Sequence, residues 1–190
     1  LTDALKRNGI PALAGIDTRA LTTKLRQCGT LRGYLCATGR LSEDDAVKRA
    51  LEWEGLDGQD YARRVTCEAP YNWDEDLRHS TSWGMPADVP EADLTVVAYD
   101  FGIKWNILRR LRQQGMEVKV VPANTPADAV LRMNPDGVFL SNGPADPAAI
   151  TYAVDAIREL IGKTPLMGIC LGHQLLGLAM GGTTKRLKFG

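Results

Sequence analysis

Pro165-Leu166-Met167-Gly168-Ile169-Cys170-Leu171-Gly172-His173-Gln174 decides how this chain is read. Its apolar start, Pro165-Leu166-Met167, has the character of a buried strand, and Leu175-Leu176-Gly177-Leu178-Ala179-Met180 beyond it reads as a helix. Glycines stand two residues to either side of Cys170. A strand that turns at once into a helix leaves no room for side chains at those places. This is the pattern of a nucleophile elbow with cysteine as the nucleophile. The turn lifts the sulfur out of the sheet, and the new helix aims its free N–H groups and positive dipole end at it. Both effects favour the thiolate, which is the reactive form. A cysteine in an apolar stretch is ordinarily a small buried hydrophobe. The Gly-x-Cys-x-Gly spacing between strand and helix argues against that here.

Working back from the elbow, strands and helices alternate. Strands are expected at Leu94–Tyr99, Glu117–Val121, Gly137–Ser141 and Leu166–Ile169. Helices are expected at Lys104–Gln114, Pro126–Met133, Ala148–Ile161 and Leu171–Met180. Such alternation with short connections implies an α/β fold, a parallel sheet flanked by helices. Ligands of such sheets bind beyond the carboxyl ends of the strands. Cys170 lies at such an end, and so does Asn142-Gly143-Pro144-Ala145-Asp146.

The first 65 residues read differently, as part of a smaller α+β domain. Helices are expected over Leu1–Arg7, over Ala20–Arg26 with Asp17 or Thr18 as cap, and after the cap Ser42. Leu31–Ala37 reads as a strand. Residues 66–93 carry Pro70, Pro86 and Pro90 with little periodicity and read as a linker, with His79 a solvated loop residue in it. Residues 94–190 then form the second domain.

Composition narrows the function classes. Hydrophobic residues are 44% and charged residues 24%, as in ordinary globular domains. Lys+Arg and Asp+Glu are both 23, so the net charge is zero and nothing points to nucleic acid or an acidic membrane. Arg109, Arg110 and Arg112 read as the solvated face of one helix. The four cysteines, Cys28, Cys36, Cys67 and Cys170, show neither metal-ligand spacing nor disulfide-framework density. No metal site is expected, and a reducing, cytoplasmic setting is. An organellar address upstream of Leu1 stays open. The longest apolar stretch is interrupted by His173 and Gln174 and is too short for a membrane span.

A thiolate at an elbow attacks a carbonyl or amide carbon, and the developing oxyanion needs two donors. The N–H of Leu171 is one candidate and that of Gly143 the other. At this point the residues carry a resemblance. The stretch Gly168 to Gln174 resembles the nucleophile motif of class I, triad-type glutamine amidotransferases, and Ser141-Asn142-Gly143-Pro144-Ala145-Asp146-Pro147 resembles that family's oxyanion loop. Tyr99-Asp100-Phe101-Gly102-Ile103-Lys104-Trp105-Asn106-Ile107-Leu108-Arg109 and Gly15-Ile16-Asp17-Thr18-Arg19-Ala20-Leu21-Thr22 are similar to segments of the carbamoyl phosphate synthetase small-subunit family.

The resemblance implies that Cys170 attacks the carboxamide of L-glutamine, forms a glutamyl thioester and releases ammonia. The ammonia would pass to a large synthetase subunit, where with bicarbonate and ATP it would give carbamoyl phosphate for arginine and pyrimidine synthesis. Gly143, Ala145, Leu171 and Gln174 would contact the bound glutamine. No cofactor is implied in this chain; ATP and metal would sit on the large subunit. One departure is Ala145, where the family has glycine, acceptable if its φ is not positive. The other is the base: the family uses a His and a Glu far downstream of the cysteine. This chain ends at Gly190, and its histidines are His79 and His173. His173 is expected in a structural place beside the sheet. An internal fragment of such a subunit is the expectation. The alternatives are an inactive domain that only binds its partner subunit, the glutaminase of another amidotransferase, and a peptidase-like or chaperone-like relative with a cysteine elbow.

Overall fold

The computed structural model describes residues 1–75, 77–81 and 89–188. The chain divides into two compact units. One is Leu1–Asp57 with the segment from Lys185, and the other is Gly58–Thr184.

The first unit carries α1 (Thr2–Arg7), α2 (Thr18–Cys28) and α3 (Glu43–Glu52). Asp17 caps α2 by accepting the Ala20 N–H at 2.8 Å, and Ser42 caps α3 by accepting that of Asp45. None of the three helices buries a side chain. Leu13, Leu21, Leu51 and Trp53 are all exposed. The strand expected at Leu31–Ala37 does not form. The segment has no ladder partner among the described residues, and an unpaired strand leaves its backbone groups to water. The regular elements of this unit among the described residues are its three helices.

The second unit begins with α4 (Ala62–Val65), β1 (Tyr71–Asn72) and α5 (Arg78–Thr81). The alternating part follows: β2 (Leu94–Asp100), α6 (Trp105–Gln113), β3 (Met116–Pro122), α7 (Ala127–Leu131) and β4 (Gly137–Leu140). A 3-10 turn (Pro147–Ala149), α8 (Thr151–Leu160), β5 (Leu166–Gly168) and α9 (Leu171–Ala179) complete it. The strands run β1-β3-β2-β4-β5, parallel except for β1. Each expected strand and helix of residues 94–180 is present, shifted by a few residues at the ends.

Strand periodicity sorts the core into two layers. Val97, Tyr99, Val138 and Leu140 point to one face, where they pack with Val130, Ile157, Leu171 and Leu175 from α7, α8 and α9 and with Ile150 just ahead of α8. Ala98, Val118, Val120 and Phe139 point to the other, against Leu108 of α6 and Trp73. Helices on both faces are what the parallel strands of such a sheet require. Part of the expected linker belongs to this core: Tyr71 pairs with Val120, and Trp73 is buried.

His79 is exposed, as expected, but it is in a short helix and not in a loop. It lies in α5, its ring 5.3 Å from Trp73 and 5.6 Å from Trp105. The arginine face of α6 is also engaged. Arg109 donates to the His79 carbonyl and Arg112 to that of Pro90, both within 2.8 Å. No helix among the described residues is long and apolar enough to cross a membrane.

Candidate active site

The sheet changes winding direction at β2. The chain leaves β2 for β3 on one side, then returns to pair β4 on the other. Such a switch opens a crevice at the carboxyl ends of the strands. The loop after β2 (Phe101–Lys104), the loop after β4 (Ser141–Asp146) and the turn after β5 (Ile169–Cys170) all emerge at these ends.

Cys170 stands at the N-cap of α9 with φ 55° and ψ −113°, and it is exposed. A residue with a β-carbon avoids this conformation, so the surroundings must impose it. They do so by exclusion. A β-carbon on Gly168 would lie 2.6 Å from the Gly172 carbonyl and the His173 nitrogen, and one on Gly172 would lie 2.1 Å from the Leu140 oxygen. Only a chain bare of side chains at both places turns this tightly. The turn is pinned by the Gly172 N–H, which donates to Ser141 O at 2.9 Å, and by Ile169 N–H on Leu140 O at 3.1 Å.

The loop after β4 is built by the same means. A β-carbon on Gly143 would meet the Phe101 oxygen at 2.0 Å and a methyl carbon of Leu171 at 2.9 Å. Gly143 is thus required by close approach, and its φ is not positive. Ser141 is fully buried; its hydroxyl accepts the Phe101 N–H at 2.9 Å and donates to Asn142 O. Asn142 bridges Gly102 O and Lys104 N. Ala145 does not have positive φ, which meets the condition set for an alanine at this position. Among the described residues no hydrogen bond engages the N–H groups of Gly143 or Leu171. The first is in a loop and the second in the opening turn of a helix, where donors have no intrahelical acceptor.

Of the residues singled out in the sequence, the structure brings Gly143 against Leu171 and sets Cys170 and Gln174 at the head of α9, with Gln174 N–H on Cys170 O. Ala145 is half-buried against the core. His173 is exposed on α9, not seated beside the sheet as expected, because the buried stripe of that helix falls on Leu171, Gly172, Leu175 and Ala179. His79 is exposed, with its ring beside Trp73 and Trp105. Among the described residues no group of His, Cys, Asp or Glu is placed to hold a metal ion.

Sequence reading did not find two features. Asp100, buried at the end of β2, accepts the N–H groups of Gly102, Ile103 and Cys67. Its signal was present in Asp100-Phe101-Gly102, an Asx-turn composition. Next to it, burial and the charge of Asp100 push the Cys67 thiol up to about 11. The second feature is a strap, residues 58–67, across the strand ends. Thr66 takes the Ala123 N–H after β3, Cys67 meets Asp100 at the end of β2, and Gly58 and Gln59 meet Asp146 after β4. No local pattern announced it.

Comparison with known proteins matches two stretches of the chain. Residues 97–190 match the family described as glutamine amidotransferase class-I, and residues 1–35 match the carbamoyl-phosphate synthase small chain, CPSase domain. A carbamoyl phosphate synthase small chain from Syntrophotalea carbinolica is 51% identical over 193 residues, covering 100% of this chain and 50% of that one. The chloroplastic small chain of Oryza sativa subsp. japonica is 46% identical, over 100% of this chain and 42% of its own length. The chain spans about half the length of the curated relatives it matches. A solved structure from Thermoplasma acidophilum, described as that of a putative GMP synthase component, is 27% identical with a TM-score of 0.40, over 46% of this chain and 45% of that one. The chain belongs to the carbamoyl phosphate synthase small-chain family of class-I glutamine amidotransferases.

Proposed function

We propose that this chain carries the nucleophile half of a glutamine-hydrolysing site that supplies ammonia to a synthetase subunit for carbamoyl phosphate synthesis. The observation that carries the reading is the conformation of Cys170: an exposed cysteine held at φ 55°, ψ −113° on the head of a helix. Strain of this kind persists where the fold over-determines it, as at nucleophile elbows. In the proposed step the Cys170 sulfur attacks the glutamine carboxamide carbon. The carbonyl oxygen becomes an oxyanion held by the N–H groups of Gly143 and Leu171. Ammonia leaves with a proton from a general acid, and water then cleaves the thioester to glutamate. Ala145 and Gln174 line the glutamine site in this reading. ATP and its metal belong to the large synthetase subunit, and the product feeds arginine and pyrimidine synthesis. Residues 94–190 are read as the glutaminase domain and residues 1–65 as part of the domain ahead of it.

A specific observation favours a second reading for these 190 residues: partner binding without hydrolysis. The histidines are His79 and His173, both exposed, His79 with its ring beside Trp73 and Trp105 and His173 on α9. Neither is placed by these surroundings as a base for Cys170.

The test is glutamine hydrolysis and carbamoyl phosphate synthesis with the large subunit present. Cys170→Ser should abolish glutamine-dependent synthesis and leave ammonia-dependent synthesis intact. Loss of both would overturn a role confined to ammonia release. Binding of the large subunit with no Cys170-dependent hydrolysis would select the second reading.

A further inference from the structure

Asp146 follows the loop that holds Gly143 and Ala145, and its bonds run in both directions. Its carboxylate accepts the Gly58 N–H at 2.8 Å and the Ala148 N–H at 3.0 Å, while its own N–H donates to Gln59 O at 3.2 Å. Residues 58 and 59 lie 88 and 87 positions away in sequence. The same strap is fastened again next door. The Tyr152 hydroxyl at the head of α8 donates to Asp60, Arg63 pairs with Asp60 at 3.2 Å, and the Arg63 guanidinium lies 4.7 Å over the Tyr152 ring. On the far side of the loop, Gly102 has φ 111° and no room for a β-carbon, which would meet Pro144 at 2.9 Å and Val65 of the strap at 3.0 Å.

We infer that Asp146 is a positioning residue: it clamps the Gly143–Ala145 loop to the strap over residues 58–67 and so fixes where the Gly143 N–H points. The physical ground is that a loop this short has few bonds of its own. Between the bonds made by Ser141 and Asn142 and the 3-10 turn, Asp146 supplies the tertiary attachments of the loop's trailing end. An oxyanion donor is effective only while it is held in place before charge develops. A loop freed at Asp146 keeps its residues but loses that hold.

The kinetic part of this inference rests on the glutaminase reading; the structural part does not. The experiment is therefore double. Amide hydrogen exchange is followed over residues 141–148 in the protein and in Asp146→Ala and Asp146→Asn. Glutamine kinetics and the rate of Cys170 alkylation by iodoacetamide are measured on the same samples. Asp146→Ala should speed exchange in this segment by ~10-fold or more, the equivalent of one lost attachment. The Asn variant, which keeps the shape but only one acceptor oxygen, should fall between. With glutamine, kcat should drop by ~10-fold or more with little change in KM, short of the ~100-fold expected for outright loss of a donor. Cys170 alkylation should stay within about two-fold of the parent, since a small alkylating agent does not use the oxyanion donors. If Asp146→Ala does not fold, the Asn variant decides. Unchanged exchange in the folded variants overturns the clamp. Faster exchange with unchanged kcat, or an equal fall in alkylation, overturns the positioning role. If the parent hydrolyses no glutamine, the glutaminase reading fails, and exchange alone decides the clamp.

Discussion

Gly172 lies against Leu140 so closely that a β-carbon on it would sit 2.1 Å from the Leu140 carbonyl oxygen. The contact joins the helix after Cys170 to the strand before the Ser141–Asp146 loop, and backbone meets backbone, so nothing can swing aside. Gly172→Ala should cost about 3 kcal/mol or more, at the top of the usual range for overpacking. Gly177, further along the same helix, has nothing within 4 Å of a β-carbon and no positive φ. Gly177→Ala should stabilise by about 0.5–1 kcal/mol through helix propensity. Urea denaturation of the two variants tests the pair; equal effects would refute the packing argument.

Cys170 holds a backbone conformation that costs a residue with a β-carbon about 1–3 kcal/mol. Cys170→Gly should raise stability by about 1 kcal/mol or more while removing any glutamine hydrolysis. Thermal melting alongside an ammonia assay checks it. A glycine variant less stable than the parent would show that the cysteine side chain contributes packing that outweighs the strain.

Ser141 is a buried hydroxyl with two partners, the Phe101 N–H and the Asn142 carbonyl. Ser141→Ala leaves a buried N–H without its acceptor, which should cost about 1–3 kcal/mol. Chemical denaturation reads the loss. A neutral substitution would mean that water or a shifted carbonyl replaces the hydroxyl.

Several acids keep their protons to higher pH in the folded chain, among them Cys67, Tyr71 and Tyr152, and burial also pushes the Tyr99 phenol up. Burial first, and then the charge of Asp100, raises the Tyr71 phenol from 10 to about 12; burial and Asp60 raise that of Tyr152 to about 12. Cys67 rises from 9 to about 11 for the same reasons as Tyr71. A raised folded-state value favours the protonated form in the folded chain. Its stabilising effect is therefore whole below the unfolded value and lost as pH climbs through the folded one. The urea midpoint should hold up to about pH 9 and then fall steadily toward pH 12, with the slope reduced in Tyr71→Phe/Tyr152→Phe. A midpoint flat to pH 12 would contradict the upward shifts of Tyr71 and Tyr152.

The alternation of residues 94–180 was legible because each element carries its own signal. Strands there are nearly all apolar, helices have a stripe, and Gly115 and Pro122 mark ends. Asp17 and Ser42 were legible as caps for the same local reason. Leu31–Ala37 misled because strand propensity is a statement about a half-buried surface, and among the described residues no neighbouring strand is there to supply one. His79 was legible as an exposed residue, but its place in a helix and its ring contacts with Trp73 and Trp105 were not, because they depend on neighbours in space.

The sequence by itself determined that Cys170 sits on a strand-to-helix turn, because the two flanking glycines and the apolar runs around them are local and admit one geometry. It also determined the family, through motifs short enough to be read in a line. Only the tertiary structure decided the strand order, the burial of Trp73 and Asp74 with the sheet, and the strap that ties residues 58–67 to Asp100, Ala123 and Asp146. Those contacts join residues dozens of positions apart through single hydrogen bonds that each use a backbone N–H. Every residue but proline carries that group, so it leaves no mark on residue type, and nothing in the order of side chains could have announced which partners would meet.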